Sequence, residues 1–248
     1  MKMKIYTGCI SDKGNYREKN QDRAVCCCRE GGRKAPLAVA CVCDGIGSLK
    51  QSEISAEMMT NGIRRWFAGN EAYYPGVMGE AQLAEDLEET IRELNELVYE
   101  YQLNNGIEIG CTMSALLLTE SVYYIFHVGD SRIYRVREAL CQLTRDETSV
   151  YERDGRERSV LKNYIGRSRK LWLNRLEGGL EGKDLFLLGS DGLFKMLGDE
   201  DVAGLAGRLT SDRRVQKACK SLVETVLKRG ERDNVSCVLV NAVFGKRK

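Results

Sequence analysis

The chain has 248 residues, only two prolines (Pro36 and Pro75) and no serine- or glycine-rich linker, so a single domain spanning 1–248 with a sizeable core is expected. Lysine plus arginine number 38 against 36 aspartate plus glutamate, a balance that gives no reason to expect a nucleic acid or a membrane surface as partner. The apolar runs are of strand length, far below the ~20 residues of a membrane span, and the N-terminus lacks a signal-peptide core; a cytoplasmic location is expected. Ten cysteines, lying mostly in apolar runs and with no Cys-x-x-Cys pair, read as reduced thiols packed as small hydrophobes.

Residues 4–10 and 22–29 are predicted strands on either side of a polar, turn-rich loop that carries Arg17 and Asp22. The run from Leu37 to Cys43 is continuously apolar and stops abruptly at Asp44-Gly45, which predicts a buried strand with one carboxylate at its tip. Ile54, Met58, Ile63, Trp66 and Phe67, then Leu83, Leu87, Ile91, Leu94, Val98 and Tyr101, recur at helical spacing and predict two amphipathic helices packed on a sheet. Strands are expected over 111–119, 121–128 and, after the turn Gly129-Asp130-Ser131, 132–136. His127, the one histidine, lies on an apolar strand and reads as a packed residue. Residues 145–170 show the least periodicity and the most charge. Strands follow at 171–176 and 184–188, then helices at 199–209 and 211–229, the second closed by Gly230, and a last strand at 235–243. Strands in antiparallel clusters and helices in pairs imply an α+β sandwich and argue against alternating βαβ units.

Asp44 and Asp191 each stand where an apolar run ends, and Asp22 and Asp233 each stand where one begins. Gathered in one place, four carboxylates repel each other unless a cation lies between them. Oxygen donors with no histidine or thiolate favour Mg²⁺ or Mn²⁺ over zinc. Four are more than one Mg²⁺ usually recruits, which points to two ions that deprotonate a water held in line with a phosphorus atom. Arg17 could clamp the phosphate oxygens as a bidentate fork.

At these residues the chain resembles the PPM-type serine/threonine protein phosphatases, also called protein phosphatase 2C. Gly14 to Ala24 is similar to the family's Gly...Arg...Asn-(Glu/Gln)-Asp-Ala motif, Val42 to Gly47 to Val-x-Asp-Gly-Met-Gly, and Gly110-Cys111-Thr112 to Gly-Thr-Thr. Val128 to Tyr134 resembles Val-Gly-Asp-Ser-Arg-x-Tyr, Leu188 to Leu193 resembles Leu-x-Ser-Asp-Gly-Leu, and Arg232 to Val235 resembles Arg-Asp-Asn-(Val/Ile). The motifs occur in family order and cover nearly the whole chain. The resemblance implies a four-layer αββα sandwich of two antiparallel sheets flanked by helices. It also implies that Asp44 bridges two ions, that the Gly45 carbonyl joins one, and that Asp191 and Asp233 hold the other. Asp22 would act through a metal-held water, Arg17 would meet the phosphate, Asp130 would contribute to a third ion as in compact bacterial members, and Asn234 would steady Asp233.

Two departures accompany these matches. Ser48-Leu49 stands where the family often has Gly-His, and Asp146-Glu147-Thr148 where many members have Asp-His-Ser, so the leaving-group proton would come from a water or another acid. The segment 145–183 is short for the family's flap. The implied activity is removal of phosphate from phosphoserine or phosphothreonine in proteins, the products of a serine/threonine kinase, by a monomeric enzyme. Two alternatives are a catalytically weak homologue that binds phosphoproteins and a hydrolase of small phosphate esters. Arg153, Arg156 and Arg158, in a stretch of eight basic and five acidic side chains over 145–170, are expected to select acidic substrates.

Overall fold

The computed structural model describes residues 3–31, 35–70, 78–136, 140–153, 156–202, 205 and 208–244. One antiparallel sheet runs in the order β1 (Met3–Asp12), β12 (Val235–Phe244), β11 (Lys183–Gly189), β6 (Arg132–Val136), β7 (Leu140–Gln142). The other runs β10 (Asn174–Gly179), β5 (Val122–Val128), β4 (Met113–Leu118), β3 (Leu37–Cys43), β2 (Arg23–Arg29).

The period-two alternation of the strands builds the layers. On β3, Leu37, Val39, Cys41 and Cys43 turn to a cluster shared with α1 (Glu53–Gly69) and α2 (Glu80–Asn105), whereas Ala38, Ala40 and Val42 turn to the partner sheet. The small alanines of β3 share that inter-sheet layer with Phe186, Leu188, Val238 and Val240. On the far side, Leu185, Leu187, Cys237 and Leu239 pack against Val215, Leu222 and Val226 of α5 (Asp212–Lys228). The result is the expected α+β arrangement, with helices outside and two sheets inside. All ten cysteines are free thiols. Among the described residues no helix is long and apolar enough to cross a membrane.

Helix α5 starts where Ser211 accepts a hydrogen bond from the Arg214 amide, an N-cap that satisfies one of the orphan donors of the first turn. Three expectations change. The unpatterned stretch at 145–170 contains a β-hairpin, β8 (Thr148–Arg153) with β9 (Arg156–Leu161). Exposed Val150, Tyr151 and Val160 show why it has no readable alternation: neither face is buried. The strand expected at 171–176 lies at Asn174–Gly179. Of the helix expected at 199–209, the described part is the single turn α4 (Asp199–Val202); residues 203–204 and 206–207 lie outside the described residues.

Candidate metal centre

The chain passes between the sheets in the 13–22 loop, which joins β1 to β2, and in the 129–131 turn, which joins β5 to β6. Around these passages lies a cavity of about 330 Å³ lined by Arg17, Asp44, Asp130, Asp191 and Asp233, with Tyr164 and the β9 residues Ser159 to Leu161 on another side. Asp44 leaves the end of β3, and Asp191 opens the short helix α3 (Asp191–Phe194) that follows β11. Asp233 precedes β12.

Each carboxylate is held by its own local structure. Thr112 grips the Asp44 backbone from both sides: its hydroxyl accepts from the Asp44 amide at 3.1 Å and its amide donates to the Asp44 carbonyl at 2.8 Å. Gly45 forms an isolated bridge with Cys111. Asp22 is buried, and its Oδ2 accepts from the Ser236 hydroxyl at 2.8 Å, while its Oδ1 is enclosed with no hydrogen-bond partner. An enclosed carboxylate oxygen without a donor is costly unless a cation serves it.

Asn234 organises the approach loop. Its side chain accepts from the Gln21 amide at 2.9 Å and donates to the carbonyls of Lys13 at 2.8 Å and Lys19 at 3.0 Å. Its contact with Asp233 runs through the backbone, from the Asn234 amide to Asp233 Oδ1 at 2.9 Å. Gly14, at φ +73, brings the same loop so close that a Cβ would lie 2.6 Å from the Asp233 carbonyl oxygen, a position only glycine fills without strain.

The electrostatics record the crowding. Burial, followed by the charges of Asp22, Asp191 and Asp130, pushes Asp44 well above the usual carboxylate range. Asp22 is pushed up to about 6 by burial, with Ser190 and Ser236 partly offsetting it. Asp130 also rises to about 6, through burial and then Asp191 and Asp146. For Asp233 burial is the largest single influence and acts upward, but the Arg17 hydrogen bonds, the Asn234 amide and the charges of Arg17 and Lys195 together outweigh it and hold the carboxyl below its ordinary value.

Two cations enter the cluster. Arg17 forms a fork on Asp233, Nε to Oδ1 at 3.0 Å and Nη2 to Oδ2 at 2.9 Å. Lys195, at the C-terminal end of α3, places Nζ 2.6 Å from Asp191 Oδ2 and 3.6 Å from Asp233 Oδ2. Among the described residues no three acidic or thiol groups close around one point. Even so, the all-oxygen donor set, the mutual repulsion and the enclosed Asp22 oxygen fit a hard divalent cation.

Sequence reasoning missed Lys195 and the wall formed by Ser159, Val160, Leu161 and Tyr164. An i, i+4 spacing from Asp191 was the signal available for the lysine. The Arg153, Arg156 and Arg158 side chains lie outside what the structure describes. His127 is a packed residue: it is buried, its Nε2 lies 3.0 Å from the Arg145 carbonyl and its Nδ1 2.9 Å from the Ser114 hydroxyl. Glu147, where the family often has histidine, is tied down by the Gly129 amide at 3.0 Å and the side chains of Asn163 at 3.1 Å and Asn174 at 2.8 Å.

Comparison with known proteins bears on the fold and the family. The chain is 25% identical over 247 residues to the serine/threonine phosphatase stp of Listeria innocua, covering 93% of each protein. It superposes on a bacterial serine phosphatase with a TM-score of 0.79 at 20% identity, covering 99% of this chain and 100% of that one. It also superposes on the catalytic domain of the serine/threonine protein phosphatase PstP, a structure in complex with two manganese ions, with a TM-score of 0.73 at 22% identity over 98% and 100% of the chains. Likenesses at this identity concern the fold. The model of the family Protein phosphatase 2C matches residues 16–242, so the chain belongs to the protein phosphatase 2C family of serine/threonine protein phosphatases.

Proposed function

We propose that the enzyme removes phosphate from phosphoserine and phosphothreonine side chains of proteins, using divalent ions held by Asp44, Asp191 and Asp233, with the Gly45 carbonyl, Asp22 and Asp130 in support. The observation that carries this reading is the convergence of partly buried carboxylates on one cavity, with the enclosed Asp22 oxygen still lacking a donor. Bound there, Mn²⁺ or Mg²⁺ in a pair, with a third ion near Asp130, would activate a water toward phosphorus and neutralise charge as the ester bond breaks. Asp44, on the rigid end of a fully buried strand, supplies a ligand whose backbone is fixed by Thr112. Arg17, half-exposed at the cavity mouth, is placed to exchange its fork on Asp233 for one on a phosphate.

The proposed substrates are proteins phosphorylated by a serine/threonine kinase. The proposed enzyme is a monomer working in the cytoplasm, with residues 1–248 acting as one domain. The test is turnover of a phosphoserine peptide and an aryl phosphate after exhaustive chelation, then with Mn²⁺ added. The expected result is no turnover in chelator, recovery with Mn²⁺ or Mg²⁺, and loss of at least ~100-fold in Asp44→Ala and Asp191→Ala. Full activity in chelator, or in either folded variant, would remove the metal reading. Binding of the peptide without turnover would favour a phosphoprotein-binding module.

A further inference from the structure

We infer that Lys195 is a tethered competitor for the metal site: its ammonium occupies the carboxylates of Asp191 and Asp233 when no ion is bound, and must leave before an ion can take both. The inference rests on the proposed role of those two aspartates as ligands.

Lys195 follows Asp191 by four residues, so the helical turn of α3 carries its side chain back over the Asp191 carboxylate. From there it reaches a second carboxylate on a different element, at 2.6 Å from Asp191 Oδ2 and 3.6 Å from Asp233 Oδ2. Arg17 binds one carboxylate as a fork, whereas Lys195 spans two. An ammonium is a compact point charge that can stand where a cation is wanted, but it carries half the charge of a divalent ion and only three donors. The ion therefore prevails when it is available, at a cost in affinity. The lysine side chain is 46% exposed, so once displaced it has solvent to swing into. Solvent also screens its grip, which keeps the competition modest.

Two consequences separate this role from a merely structural salt bridge. Removing the ammonium should tighten metal binding, because one cation fewer then has to be displaced and only the Arg17 fork on Asp233 remains. It should also destabilise the metal-free protein, because Asp191 and Asp233 lose the cation they share.

The test is calorimetric titration of Mn²⁺ into metal-free wild type, Lys195→Gln and Lys195→Arg, with melting curves in chelator and in saturating Mn²⁺. Lys195→Gln should bind Mn²⁺ about threefold to tenfold more tightly, as expected for loss of a partly exposed competing charge. It should also melt lower in chelator and show a larger rise in melting temperature on adding Mn²⁺. Lys195→Arg, which keeps the charge, should follow the wild type. Unchanged or weaker Mn²⁺ affinity in folded Lys195→Gln overturns the inference. Absence of Mn²⁺ binding to the wild type is a different result: it removes the metal-centre reading itself, and the inference with it.

Discussion

Asp22, Asp44 and Asp130 are partly or fully buried acids whose charged forms are disfavoured, Asp22 and Asp130 being pushed up from an ordinary 3.8 to about 6. A carboxyl raised in the folded state imposes no penalty below its unfolded value, a growing one as pH rises through the folded value, and the full one above it. His127 acts in the opposite sense, since burial lowers its value and the unfolded chain takes the proton first, but it is one group against three. Glu53, Glu88, Asp201 and Asp233 are held low, so their stabilising effect is lost only on acidification below about their ordinary values near 4. In chelator the protein should therefore melt higher at pH 5.5 than at pH 7.5, by about 3 °C or more. In saturating Mn²⁺ the order should reverse, because protons compete with the metal. A metal-free protein that melts lower at pH 5.5 would show that the acids are not crowded.

Asn234 connects the end that precedes β12 to the loop between β1 and β2, using its side chain on the loop and its amide on Asp233. Asn234→Ala should lower stability by about 2–3 kcal/mol, since it strips partners from buried loop groups. It should also cut turnover by more than tenfold through displacement of Arg17 and Asp22; a variant with normal melting and normal turnover would show that the loop holds itself. The β8–β9 hairpin is proposed to serve recognition. Its return strand lines the cavity, so neutralising Arg153, Arg156 and Arg158 together should lower kcat/KM on an acidic phosphopeptide by about tenfold at low salt and less at high salt. Turnover of an aryl phosphate should stay within about twofold, and equal losses on both substrates would place the hairpin in support of the metal site. What could be read in the sequence follows burial. The β3 run was legible because both faces are enclosed and Asp44 interrupts it sharply. The hairpin was not, because Val150, Tyr151 and Val160 face solvent. Lys195 offered only its four-residue spacing from Asp191, because α3 is a single turn with too few residues to show a period around it.

The carboxylates come from both sheets, Asp22 and Asp44 from the β2–β3 side and Asp191 and Asp233 from the β11–β12 side. Their spacing is therefore set by how closely the sheets approach, and that distance depends on small side chains such as Ala38 and Ala40. Ala40→Leu should overpack this layer, cost about 1–3 kcal/mol, and lower Mn²⁺ affinity although the residue touches no ligand; unchanged affinity in the destabilised variant would separate sheet spacing from site geometry. The link between β10 and β11, residues 180–182, joins the same two sheets and carries none of the candidate site residues. A chain opened between Glu181 and Gly182 would leave Arg17, Asp22, Asp44 and Asp130 on one fragment, and Asp191, Lys195 and Asp233 on the other. The β1–β12 and β6–β11 ladders would be the means of rejoining them. Split there, the protein should act as a two-piece reporter: either fragment alone should be inert, the mixture should regain Mn²⁺-dependent turnover, and the recovered rate should measure the fraction of fragments that have reassembled.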